Sequence, residues 1–141
     1  MARGRHAAGA GTGADGPSVA AVAVGGVLGS LGRWAVGLAL PHAAGTFPWA
    51  TFVVNVSGAF AMGVLVAFLV GRPGTHRLAR PLLGVGVLGG WTTFSALAVE
   101  VVGLGSADHA QLALAYVAAT FLVGTLAVGA GTALGRRVWL R

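Results

Sequence analysis

The chain has 141 residues, 56% of them hydrophobic and only 9% charged, with a mean hydropathy of +0.85. That composition excludes an ordinary soluble domain in favour of a membrane protein, and the absence of cysteine excludes disulfides and thiolate chemistry. The net charge of +6 comes from nine arginines against Asp15, Glu100 and Asp108; because most of the arginines flank apolar segments, the charge points to membrane orientation and not to nucleic acid.

Residues Met1 to Pro17 are rich in Gly, Ala and Arg without apolar periodicity, which predicts a disordered cytoplasmic tail (1–17) ahead of a membrane domain (18–141). The apolar segment that follows is too long for the ~7–15-residue core of a secretory signal and contains Arg33. It reads as a first membrane helix over about 19–40. Pro41 to Pro48 makes a turn, and Trp49 is placed to anchor a second helix, about 49–70, at the interface. Gly71 to Ala79 is a polar loop closed by Arg80 and Pro81. A third helix spans about 82–104 and a fourth about 111–135. Each reaches the ~20 residues that a bilayer requires, so the expected fold is an all-α membrane protein with four transmembrane helices.

Four spans place both termini on one side together with the loop between the second and third. That side carries Arg3, Arg5, Arg72, Arg77, Arg80, Arg136, Arg137 and Arg141, whereas the two opposite loops carry no Lys or Arg. The positive-inside rule then predicts a multi-pass protein of the cell membrane with both ends cytoplasmic. His6, His42, His76 and His109 fall in the tail or the loops without i, i+4 spacing, so a helix-borne metal site is not expected.

Several polar residues fall inside the spans. Arg33, ~10 Å from the outer end of the first helix, either snorkels to the headgroups or faces protein or water. Asn55 sits at nearly the same depth, where its amide serves either to bind a neighbouring helix or to offer its NH2 to an anion. The third helix carries GGWTTFS, Gly89 to Ser95, near its midpoint. Two glycines followed by two threonines weaken a helix, and an interruption there would expose backbone carbonyls suited to a small cation such as Na⁺; the alternative is an intact helix whose hydroxyls bond back one turn. Glu100 is either an interfacial carboxylate or a partner for Arg33. On the fourth helix Tyr116, Thr120 and Gly124 follow i, i+4, i+8, as a polar track or as a packing face. Gly25 with Gly29, Gly86 with Gly90 and Gly131 with Gly135 have the spacing of close helix contact.

The segments GGVLGSLGRW (Gly25 to Trp34), GTFPWATFVVNVSGAFAMG (Gly45 to Gly63) and GGWTTFS together resemble the Fluc (CrcB-type) fluoride channel family, over all four spans. The resemblance implies a third helix broken near the midplane and an antiparallel dimer with two anion pathways that pass fluoride passively out of the cytoplasm. It implies that Gly89 and Thr92 give backbone carbonyls to a central structural Na⁺ shared by both subunits. It places Asn55, Phe94, Ser95, Tyr116 and Thr120 along the fluoride path, and Arg33 and Glu100 at polar positions near the vestibules. Amide and hydroxyl donors suit a small, tightly hydrated anion, and the ring edge of Phe94 is the positive part of its quadrupole.

Three positions depart from that pattern. Leu97 replaces a second phenylalanine, Ala96 lacks a hydroxyl, and Gly124 ends the polar stripe. With the one-sided arginines, they raise the expectation of a heterodimer with an oppositely oriented homologue beside that of a homodimer. The partners expected are therefore fluoride, membrane lipid and a second subunit, with no nucleic acid. Two other readings stand beside a channel. A small multidrug-type proton-coupled transporter should carry a carboxylate deep in its first helix, where this chain has Arg33. A non-conducting partner subunit would keep the packing glycines without needing Asn55 or Phe94. An enzyme is not expected, since no nucleophile and base pair is visible.

Overall fold

The computed structural model describes residues 15–72 and 74–139, and among these residues there is no strand. Among the described residues, four helical segments are long and apolar enough to cross a membrane: Gly16–Ala39, Trp49–Gly71, Arg80–Ser106 and Ala110–Trp139, the first to fourth spans. The chain is a multi-pass, all-helical membrane protein.

The first span begins earlier than expected. The Asp15 side chain accepts a hydrogen bond from the Ser18 N–H at 3.1 Å as an N-cap, and Pro17 occupies the first turn, where its missing N–H is no loss. Gly16 and Pro17 therefore belong to the helix; the remainder of the expected tail, residues 1–14, lies outside the described residues. Asp15 also forms an ion pair with Arg77, which ties the start of the first span to the loop before the third. Hydrogen bonding from Ser18, and then from Arg77, holds this carboxyl below the usual carboxylate range.

The fourth span runs on past residue 135 to Trp139. Arg136 and Arg137 in its last turn complement the negative end of the helix dipole, and their side chains are long enough to reach headgroup level. The Trp139 ring meets Phe68 edge-on at 5.2 Å, and the Arg72 guanidinium lies 5.7 Å from the same Phe68 ring, so aromatic packing pins together the ends of the second and fourth spans. At the opposite end, Asp108 turns the chain with φ 59°, and the His109 N–H reaches back to the Leu104 carbonyl at 3.0 Å, a Schellman-type stop.

Glycines set the packing. A Cβ at Gly25 would overlap the Leu82 carbonyl, one at Gly29 the Val87 carbonyl, and one at Gly90 the Gly26 carbonyl. The first and third spans thus touch backbone to backbone, and the Gly25–Gly29 and Gly86–Gly90 pairs face each other. Likewise, Gly63 abuts Val128, Gly131 abuts Phe60 and Gly135 abuts the Ala67 side chain, which joins the second span to the fourth. The third span changes neighbours along its length. Its first part, Arg80–Leu88, lies on the first span; its last part, Phe94–Ser106, lies on the fourth, where Leu97, Leu104, Ala113 and Tyr116 form a buried cluster. Large apolar side chains such as Leu114, Leu126 and Val99 point outward, as lipid-facing residues do.

Candidate functional site

The change of neighbour falls at the stretch singled out by its polarity. The third span runs as a π-helical segment, Arg80–Leu88, and one α-helical turn, Gly89–Trp91. Thr92 (ψ 157°) and Thr93 (φ −150°, ψ 126°) are then extended, and an α-helix resumes at Phe94. A glycine pair, cheap to unwind, precedes two β-branched residues that favour extended backbone. Thr93 also caps the helix that follows, its Oγ1 accepting the Ala96 N–H at 3.2 Å.

Extended residues free backbone groups that a helix would pair, and side chains from two other spans take up some of them. The Thr92 N–H makes the last bond of the incoming turn, to the Leu88 carbonyl at 3.0 Å. In a continuous helix the Thr93 N–H would bond the Gly89 carbonyl; instead it donates to Asn55 Oδ1 at 2.8 Å, and Asn55 Nδ2 donates back to the Thr93 carbonyl at 2.9 Å. Arg33 Nε donates to the Gly90 carbonyl at 3.0 Å, and Trp91 Nε1 donates to Ser57 Oγ at 3.0 Å. Among the described residues the carbonyls of Gly89 and Thr92 accept no hydrogen bond from the residues that follow the turn. They are hard oxygen donors left available at the middle of the span.

Of the sequence-predicted residues, Asn55, Gly89, Thr92, Phe94 and Thr120 line one groove of about 530 Å³ on the flank of the subunit, with Leu97 and Gly124 beside them. Phe94 is 73% exposed, so its ring projects away from its own subunit. Ser95 lies outside the groove lining and is exposed, with its Oγ 3.2 Å from Thr93 Oγ1. The Thr120 hydroxyl bonds back to the Tyr116 carbonyl at 2.8 Å.

Arg33 and Glu100 are not partners. Glu100 instead accepts hydrogen bonds from Thr51 Oγ1 at 2.6 Å and from the Tyr116 hydroxyl at 2.7 Å, while Arg33 serves the Gly90 carbonyl. The carboxylate thereby fastens the second, third and fourth spans together, with Tyr116 fully buried and packed edge-on against Phe47 at 5.2 Å. Sequence reasoning passed over Thr51. Its signal was the i, i+4 spacing to Asn55, which puts both polar side chains on one face of the second span.

Comparison with known proteins is consistent across the length of the molecule. Residues 20–132 match the family model described as "CrcB-like protein, Camphor Resistance (CrcB)". A relative from Streptomyces avermitilis named "Fluoride-specific ion channel FluC 2" is 46% identical over 125 residues, covering 89% of this chain and 79% of its own. "Fluoride-specific ion channel FluC 1" of Mycobacterium bovis is 45% identical over 124 residues, covering 87% of this chain and 93% of its own. "Fluoride-specific ion channel FluC 2" of Thermobifida fusca is 46% identical over 114 residues, covering 81% and 84% respectively.

Proposed function

The chain belongs to the CrcB-like family, and on that premise we propose that it is one subunit of a fluoride-selective channel through which fluoride leaves the cytoplasm passively, lowering its toxicity. The observation that carries the proposal is the interruption of the third span at Thr92 and Thr93, braced by Asn55 and Arg33 and opening onto the groove that also holds Phe94 and Thr120. Irregular backbone at membrane depth is tolerable where it is buried in protein or lines a polar cavity, and a helix broken at the midplane is a recurrent way to build an ion site.

In this reading the Gly89 and Thr92 carbonyls hold a structural Na⁺. Their fit rests on donor chemistry: among the described residues, both are hard oxygens that accept no hydrogen bond from the residues that follow the turn. Bound there, the ion would supply fixed positive charge; the chain's own residues shape and line the path. Asn55, with one Nδ2 hydrogen beyond the Thr93 pair, and the Ser95 hydroxyl supply donors; Thr120, whose hydroxyl proton goes to the Tyr116 carbonyl, lines the groove, and Phe94 presents its ring edge. Tyr116, fully buried with its hydroxyl committed to Glu100, backs the path without lining the groove. Arg33 and Glu100 are structural polar residues that hold the spans in register.

The subunit works as an antiparallel dimer with both of its termini cytoplasmic. A heterodimer with an oppositely oriented homologue is favoured by two observations: eight of the nine arginines fall in the terminal segments or around the loop between the second and third spans and none in the other two loops, and Streptomyces avermitilis contains relatives named both FluC 2 and FluC 3. Expression in a bacterial host stripped of its own fluoride exporter tests the proposal. Growth in millimolar-range fluoride should return with this chain, alone or with such a homologue; continued sensitivity in both cases, with the protein present in the membrane, would overturn it.

A further inference from the structure

At the end where the first span begins and the fourth span ends, the first and third spans flank a groove of about 520 Å³. Val19, Val22 and Ala23 of the first span form one wall, Pro81 and Val85 of the third the other, with Ser18 and Arg80 at the mouth. Its floor is the close contact of the two backbones, where Gly25 meets Leu82 and the Val22 carbonyl meets Gly86.

The mouth lies at the ends of two spans, at headgroup depth, and the walls continue ~7 Å toward the hydrocarbon core. Its charge is one-sided. Arg77 is paired with Asp15, whereas Arg80 is exposed and forms no ion pair among the described residues. An apolar slot capped by a single unpaired guanidinium matches an amphiphile with an acyl chain and an anionic head, and basic pockets between membrane helices recur as binding sites for such lipids.

We propose that this groove is a binding site for an anionic phospholipid, its phosphate on Arg80 and one acyl chain between the first and third spans. The bound lipid bridges the third span, which carries the Thr92–Thr93 interruption, and the first span, which braces it through Arg33.

Native mass spectrometry of the purified full chain with phosphatidylglycerol and phosphatidylcholine tests the assignment. The wild-type protein should retain phosphatidylglycerol in preference. Arg80→Gln should lower that preference about fivefold, the worth of one arginine near an anionic lipid surface. Val22→Phe, which fills the slot, should displace the lipid even though Arg80 remains. Arg72→Gln, at the same end but outside the groove, should leave it unchanged. Equal retention of the two lipids by the wild type would overturn the proposal. So would a preference that survives Arg80→Gln, including one lost only when Arg3 and Arg5 are both changed to Gln, or a slot found covered by a second subunit. Arg80→Gln changes one exposed side chain and keeps the test available should Val22→Phe fail to fold.

Discussion

The Asn55 side chain forms a two-way bridge with the backbone of Thr93, receiving its N–H at 2.8 Å and donating to its carbonyl at 2.9 Å. One amide thereby takes the place of the helical partners that Thr93 gives up. Removing it strands two backbone groups, at ~1–3 kcal/mol each if they stay unsatisfied. Asn55→Ala should lower the thermal stability of the purified protein by an amount in that range and cut fluoride flux on the order of tenfold, equivalent to ~1.4 kcal/mol. Asn55→Asp, which keeps the acceptor for the Thr93 N–H but sets a carboxylate oxygen against the Thr93 carbonyl and a negative charge in the path, should reduce flux at least as much.

Phe94 separates conduction from folding. Its ring is 73% exposed on the subunit, so Phe94→Ala should move the unfolding temperature little while reducing flux by a similar factor of about ten, ~1.4 kcal/mol. Parallel measurement of unfolding and liposome efflux distinguishes this outcome from a role in packing alone.

Glu100 gathers donors from two spans, and the effects should not add. Thr51→Val and Tyr116→Phe each remove one hydrogen bond, expected to cost ~0.5–1.5 kcal/mol. The double variant should differ from their sum by at least ~0.5 kcal/mol, because both act through the same carboxylate. A double-mutant cycle on thermal or denaturant unfolding checks this.

Gly29 and Gly37 lie on the same helix and predict opposite outcomes. A Cβ at Gly29 meets the Val87 carbonyl, which no rotamer change can move aside, so Gly29→Ala should destabilise by ~1–3 kcal/mol. Nothing lies within 4 Å of a Cβ at Gly37, and Gly37→Ala should stabilise by up to ~0.5–1 kcal/mol through helix propensity. Unfolding temperatures of the two purified variants decide the matter.

The four spans were legible because hydrophobic length is a property of the chain alone. The glycine pairs Gly25–Gly29 and Gly86–Gly90 were legible as packing faces, although not as each other's partners. The helix start at Asp15 was also written in the sequence, as a capping residue followed by proline, and the compositional reading of a tail ran past it. What stayed hidden depended on how the helices are rotated. Glu100 had two plausible roles and took a third, since Thr51 and Tyr116 face it only once the second and fourth spans are packed. Asn55 had an anion or a neighbouring helix to choose from, and the backbone partner it has, Thr93, exists only because the third span leaves its helix there.

Efflux from liposomes loaded with fluoride and reconstituted with the purified chain tests the account most directly. Fluoride should leave the liposomes far faster than from protein-free controls while chloride is retained, with this chain alone or with an oppositely oriented homologue. Fluoride release at the protein-free rate in both preparations would contradict the account.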